Sequence, residues 1–435
     1  MTVKWNLPPH VKHTTVMFWL RLCCFIGLLS AVFPIEASPG NTHALSQPVY
    51  KTLEVARAHT LNGAYAEAGQ LIASLQKDDS LSAYEKAQVW NLAGYVDYLR
   101  GFIPSAISAY EVVLQQADIP ESLLISTHRT LAQLWFMEAG YRKALSYAEQ
   151  IRSADVAADS RHVDNSLQVL MAHCHYQLSD YPRSAALIKS VIEQANQPEE
   201  SWLQLLRASY QAQNDYEKTP RVLETMVELF GKPDYFLALS ATYSQLGQQA
   251  RQTSLLESLY EKRQLTNASH LKALGILYVQ QGMPAKAAAV LGYGIDSNHL
   301  EASAENLRLL AQAWLRARNN DSAIKVLVRA SSLHNDKKID LLLARTFLSM
   351  RDWESAATRL QRVLDNQGNK DSEVWLLLGM ARFHQGDYAS AEQAFINARD
   401  QAGRERVQRS ARQWLRHVQA EQQKKLMAAT AKVSR

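Results

Sequence analysis

The chain has 435 residues, 47% of them apolar, with only 17 Gly and 12 Pro. That composition suits helices joined by short turns and argues against a sheet-rich or disordered protein. The formal charge is +5, but residues 404–435 carry nine Lys/Arg against Glu405 and Glu421, which leaves about −2 for the rest and gives no nucleic-acid signal for the whole chain.

The first residues read as a targeting segment. Lys4 and Lys12 lie in a polar lead, and an apolar run from Val16 to Phe33 comes next, broken only by Arg21. Small residues then offer a cleavage site, after Ala37 or around Thr42-His43-Ala44, and Met17 is an alternative start. A basic start, an apolar run and a small-residue site predict a secretory signal over residues 1–37. An uncleaved inner-membrane anchor is the alternative, although the run after Arg21 is short of the roughly 20 residues of a spanning helix. Cys23 and Cys24 lack the spacing of a lipoprotein site, and after cleavage Cys174 is the single cysteine, so no internal disulfide can form. The expected location is the periplasm of a Gram-negative cell, with no integral membrane domain once the signal is removed.

From residue 45 onward one pattern recurs. A small residue opens an amphipathic helix at Ala68, Ala106, Ala144, Ser184, Thr219, Gln252, Ala287, Ala323, Ala356 and Ala391, with Gln252 the misfit. Successive gaps are 38, 38, 40, 35, 33, 35, 36, 33 and 35 residues. Before each lies a turn, such as Asn62-Gly63, Gly101-Phe102, Gly140-Tyr141, Asp180-Tyr181, Asn214-Asp215-Tyr216, Asn319-Asn320, Asp352-Trp353 and Gly386-Asp387. Before each turn lies another amphipathic helix. The clearest copy is Trp375–Ala398, where small Gly379 and Ala391 let two helices approach and Trp375, Leu378, Tyr388 and Phe395 fill the space around them. A period near 34 residues with these positions predicts tetratricopeptide repeats.

The expected fold is therefore all-α: a right-handed superhelical solenoid of about ten helix pairs over residues 45–403. A basic capping helix is expected over 404–427, with helical spacing at Val407, Ala411, Trp414, Leu415 and Val418, and then a frayed tail over 428–435. First helices should line a groove that accepts an extended peptide or a helix. Aromatic residues such as Trp90, Trp135, Tyr141, Tyr216, Trp314 and Trp353 fall at core positions. The groove candidates come one or four positions after the small residue of the first helix: Tyr95, Tyr98, Phe136, His173, Tyr176, Arg308, Arg345, Met380 and Phe383. The basic tail reads either as a solvated cap or as a docking surface for an acidic partner or an anionic membrane.

No catalytic or cofactor chemistry is expected. His173-Cys174-His175 resembles a metal site, but adjacent helical residues point about 100° apart and cannot close on one ion. The chain has no His-Glu-x-x-His, Cys-x-x-Cys, Gly-rich phosphate loop or Gly-x-Ser-x-Gly elbow. A protein or peptide is the expected partner, and nucleic acid is not.

Several segments carry a family resemblance. They are Tyr50–Leu53, Ile119–Leu123 with Leu131–Leu134, Ser201–Ala208, Gly282–Ala288, Asn306–Ala311, Trp375–Met380 and Gln413–Leu415. In this order they resemble exported tetratricopeptide proteins encoded with the TonB, ExbB and ExbD energy-transduction systems of marine gamma-proteobacteria. The departures are His173–His175 and the long basic end. The resemblance implies a periplasmic scaffold that supports TonB-dependent iron-siderophore uptake. It assigns no catalytic or ligand residues. A scaffold of another envelope machine, or a peptidoglycan or membrane-surface binder using the basic tail, stays open beside it.

Overall fold

A computed structural model describes residues 43–158, 163–334, 336–365, 371–401 and 403–433, with backbone alone at 154–158 and 428–433. The expected signal segment lies outside these residues. The described residues form 21 helices, arranged as ten consecutive pairs and a last single helix. They fall into two compact units that divide between Phe230 and Gly231.

The first unit holds five pairs: α1 (Gln47–Leu61) with α2 (Tyr65–Gln76), α3 (Ala83–Leu99) with α4 (Ile103–Leu114), α5 (Glu121–Met137) with α6 (Tyr141–Ala158), α7 (Asn165–Gln177) with α8 (Tyr181–Gln194), and α9 (Glu200–Ala212) with α10 (Lys218–Phe230). The second holds five more: α11 (Pro233–Gln245) with α12 (Gln249–Glu261), α13 (Ala268–Gln280) with α14 (Pro284–Asp296), α15 (Ala304–Arg316) with α16 (Asn320–Leu333), α17 (Lys337–Ser349) with α18 (Trp353–Asp365), and α19 (Ser372–His384) with α20 (Tyr388–Asp400). The last helix, α21 (Glu405–Val433), continues past Met427, where the sequence suggested that the ordered part ends.

The same turn closes all ten pairs. One residue sits in the left-handed region between the two helices: Gly63, Gly101, Ala139, Ser179, Asn214, Gly247, Gly282, Arg318, Arg351 and Gly386. Its N–H bonds to the carbonyl three residues back, and the next N–H bonds to the carbonyl five back. Gly386 N–H thus meets Phe383 C=O at 2.9 Å, and Asp387 N–H meets Arg382 C=O at 3.1 Å. These bonds satisfy carbonyls that the helix end leaves unpaired. Several of the residues just after the turn also cap the second helix, as Asp387 does by accepting from Ser390 N–H at 3.1 Å. Four expected turns, Gly140-Tyr141, Asp180-Tyr181, Asn319-Asn320 and Asp352-Trp353, begin one residue earlier. The left-handed residues are Ala139, Ser179, Arg318 and Arg351, and Gly140, Asp180, Asn319 and Asp352 occupy the next position, just ahead of the second helix.

The approach of the two helices is set by a small residue on each. Ala68, Ala106, Ala144, Ser184, Ala287, Ala323, Ala356 and Ala391 have no exposed surface. Gln252 keeps the register, its N–H bonded to Gln248 C=O at 3.1 Å, but is only half-buried. Neighbouring Thr253 is the buried one, and its hydroxyl accepts from the Gln281 side chain at 2.8 Å. Glycine appears on the first helix where the facing side chain is large. A Cβ on Gly379 would lie 2.6 Å from the Phe395 ring, and one on Gly94 would lie 2.8 Å from the Tyr110 ring. Tyr216 departs from its expected core position: it is 51% exposed. The fifth pair has a longer turn, with α10 starting only at Lys218, and this leaves Tyr216 outside with its hydroxyl on Asn214 at 3.2 Å.

Polar anchors tie neighbouring pairs. At the start, buried Glu85 accepts from the Ser46 and Ser82 N–H groups, both at 2.9 Å. In the second unit buried Asp340 on α17 accepts from Ser331 on α16 at 2.7 Å, with Arg359 and Arg362 of α18 at 3.8 and 3.7 Å. A buried carboxylate needs such partners to offset its lost hydration. At the far end α21 lays Val407, Ala411, Leu415 and Val418 against the array, and the Trp414 ring stacks on Phe395 at 5.6 Å. Each fully buried Leu or Val contributes roughly 1.5–3 kcal/mol, so this seam covers the last pair effectively. Arg406, Arg409, Arg412 and Arg416 remain exposed on the helix.

Two substitutions probe this packing. Arg351→Gly removes a bulky side chain from a left-handed position and should raise stability by about 0.5–1 kcal/mol. Thermal unfolding showing no increase would refute the strain at that turn. Gly379→Ala should cost about 1–2 kcal/mol net, since crowding of Phe395 outweighs the helix propensity gained. Adding Phe395→Leu should lessen that cost in a double-mutant cycle by denaturant unfolding, and simple additivity would contradict the contact.

Candidate partner-binding face

Side chains on the first helices divide by register. Counting back seven residues from the left-handed residue reaches the position that faces the partner helix. It is Ala56, Gly94, Ala132, Ala172, Ser240, Gly275, Ala311, Ala344 or Gly379 in nine pairs, and Arg207 in the fifth. The positions one and four residues later lie on the neighbouring face, where eight of the nine sequence candidates fall. Arg345 lies one after Ala344, whereas Arg308 lies three before Ala311, one turn earlier along α15.

The structure places the candidates differently from one another. Tyr95 and Tyr98 are half-buried on α3, and Tyr98 packs on the cluster of Ala106, Ile107 and Tyr110. Phe136 is buried in the core of the first unit, its ring edge-on to Tyr141 at 5.4 Å and near His173 at 6.3 Å. It therefore offers no open surface. Tyr176 is half-buried with its ring edge-on to Tyr181 at 5.4 Å. Arg308 is half-buried and Arg345 is exposed. Met380 and Phe383 pack under α21, with Phe383 and Trp414 centroids 5.3 Å apart, so they serve the end contact.

The His-Cys-His triplet disperses. His173 packs near Phe136, Cys174 is buried in the core, and His175 Nδ1 lies 3.3 Å from Asp180 on the opposite side of the turn. Burial pushes the His173 pKa down to about 4 and the Cys174 thiol up to about 12. Burial also lowers the pKa of His128 and His270.

Charged rungs connect successive first helices. Arg129 on α5 meets Asp164 at the start of α7 at 3.0 Å. Lys272 on α13 meets Glu305 on α15 at 3.0 Å, and Lys337 on α17 meets Asp371 at the start of α19 at 2.6 Å. Such partly exposed pairs are worth little in stability, about 0–1 kcal/mol each, but they set side-chain positions along the face. The face is thus tyrosine-rich over α3 and α7, and carries Arg308 and Arg345 over α15 and α17. Arg207 escaped the sequence reading. Counting back from Asn214 at the turn would have found it.

Residues 272–332 and 341–405 match the tetratricopeptide repeat family. No curated protein matches the chain. Among solved structures, the chain is similar to the MamA protein, at 19% identity over 39% of this chain and 91% of that one, with a TM-score of 0.33. It is similar to a tetratricopeptide repeat protein from Parabacteroides merdae, at 16% identity over 69% and 100% of the two chains, TM-score 0.34. It is also similar to YrrB, described as a TPR protein with an unusual peptide-binding site, at 13% identity over 44% and 97%, TM-score 0.35. At such scores the helix pairs themselves and the family match carry the fold.

The partly buried histidines set a pH dependence. A histidine whose pKa is lowered in the fold takes up its proton more readily when unfolded, so stability falls as pH drops from about 6.5 towards 4. His173→Phe should flatten that acid limb by about 2 kcal/mol in denaturant titrations at a series of pH values. An unchanged limb would show that His173 is not the group responsible.

Proposed function

We propose that this chain, whose residues 272–332 and 341–405 match the tetratricopeptide repeat family, acts as a protein–protein interaction scaffold of the cell envelope, specifically a periplasmic accessory of a TonB–ExbB–ExbD complex. Support for the scaffold comes from the repeat match over residues 272–332 and 341–405, and from first-helix side chains such as Tyr176, Arg308 and Arg345 that stay at least partly open. Within each unit, stacked helix pairs that leave such side chains outside the core can present them to an extended segment or helix. In this reading the repeats serve as a scaffold rather than as an enzyme.

The TonB assignment draws on the ordered segments from Tyr50–Leu53 to Gln413–Leu415, which resemble that exported family, and on the signal-like residues 1–37. No described helix is long and apolar enough to cross a membrane. In this role the protein holds or guides components of the energy-transducing complex through the first-helix face. The gene's deletion should slow growth on ferric siderophore under iron limitation, and TonB should crosslink to the protein in intact cells. Normal growth together with absent crosslinks would discard the assignment. Crosslinks to a different envelope machine would keep the scaffold and replace its partner.

A further inference from the structure

The side that α21 turns away from the array is fixed by its register. α21 begins at Glu405 as α19 begins at Ser372, and its buried Val407 and Ala411 come at the same intervals as Val374 and Leu378. It thus lies on α20 as the first helix of a further pair would. In α19 the side toward the second helix is apolar or small. Leu376 and Phe383 pack on Ala391 and Phe395, and Gly379 leaves no room for a Cβ beside the Phe395 ring. The same three positions in α21 are Arg409, Arg412 and Arg416. No second helix follows among the described residues, and three guanidiniums would have to be stripped of water to admit one.

All three arginines are exposed, and so is Arg406 one turn before them. At 1.5 Å per residue, Arg409, Arg412 and Arg416 mark about 10 Å along one side of the helix. Arg406, Arg412 and Arg416 have no ion-pair partner among the described residues, and Arg409 has only Glu405, at 3.8 Å. The other acids near this end are engaged. Glu373 holds Arg404 at 2.7 Å, Asp400 holds Arg399 at 2.6 Å, Glu421 holds Lys424 at 2.7 Å, and Glu392 accepts from Gln422 at 3.2 Å. Residues 405–427 carry six Arg/Lys against Glu405 and Glu421, so the positive potential along this side is not cancelled.

We infer that this side of α21 docks on an anionic phospholipid surface. Guanidinium forks suit phosphodiester oxygens, and each basic side chain near an anionic bilayer adds attraction. An acidic protein is the poorer fit. Protein interfaces exclude charge from their centre, and between Arg409 and Arg416 this side offers only Gln413, with no apolar anchor. Lipids diffuse laterally, so headgroups come to each guanidinium without a matching shape. Met427, 61% exposed, falls on the same side three turns after Arg416 and supplies an apolar end that can enter the headgroup layer. No described helix is able to cross a membrane, so the contact is peripheral. It goes beyond the scaffold reading and is independent of which protein the first-helix face holds.

The test places an environment-sensitive fluorophore on exposed position 413 of the full chain, through Gln413→Cys with Cys23→Ser and Cys24→Ser, while buried Cys174 stays unlabelled. A label there reports this side of α21 even when the apolar N-terminal run holds the chain on a vesicle. Vesicles of equal parts phosphatidylcholine and phosphatidylglycerol should shift its emission to the blue at low salt, and molar salt should reverse the shift. Vesicles of phosphatidylcholine alone should leave it in place. Soluble polyglutamate at the same concentration of negative charge should not displace the mixed vesicles. Arg409→Gln, Arg412→Gln and Arg416→Gln together should weaken binding on the order of 100-fold, about fivefold per charge, with unchanged thermal unfolding. The three corresponding Lys substitutions keep the charge and should retain most of the binding. An equal shift with phosphatidylcholine alone, no shift with the mixed vesicles, displacement by polyglutamate, full binding by the triple Gln variant, or equal loss in the triple Lys variant would each overturn the inference. The vesicles contain no protein, so this failure is distinct from a failure of the iron-uptake phenotype.

Discussion

The left-handed turn between the two helices of each pair governs most of the structure. With its φ positive, one residue ends the first helix, satisfies two of its carbonyls and, in every pair but the fifth, starts the second helix after a single further residue. Because the link is this short, the small residues of both helices must meet: Gly379 faces Phe395 four residues after Ala391, and Gly94 faces Tyr110 four after Ala106. Side chains on the far side of the first helix are then excluded from the pair core. The turn thus determines, from the backbone alone, which residues can bind something else.

Much of this was legible in the sequence because packing leaves a residue-type record. A site with no room for a side chain is occupied by Ala, Gly or Ser, and Ala287, Ala356 and Ala391 are completely buried as their spacing suggested. The turns were legible where glycine marks them, as at Gly101 and Gly386. They were obscured at Arg318 and Arg351, since an arginine held at positive φ by its neighbours gives no compositional sign of it. Tyr216 misled for the opposite reason: its aromatic character suggested the core, while the longer turn before α10 leaves it outside.

The face itself was harder to read. Position along a helix gives direction but not what lies opposite, so Phe136 and Tyr176 looked equivalent. Phe136 is in fact closed in by Tyr141 and His173, whereas Tyr176 stays half-open beside Tyr181. Met380 and Phe383 would face outward in an internal repeat. They are covered because theirs is the last pair and α21 lies over it. Burial at these two positions depends on the next helix of the chain, which residue type cannot report.

The Asp340 cluster bears on how such arrays diversify. Ser331, Asp340, Arg359 and Arg362 come from three successive helices that belong to two different pairs. An apolar pair boundary can accept a new neighbour with modest repacking. A crossover between α16 and α17 would part Asp340 from Ser331, though not from its arginines. One between α17 and α18 would strand a buried carboxylate opposite whatever the new helix carried. Residues 331–362 thus form a stretch that cannot be divided without disturbing a buried carboxylate.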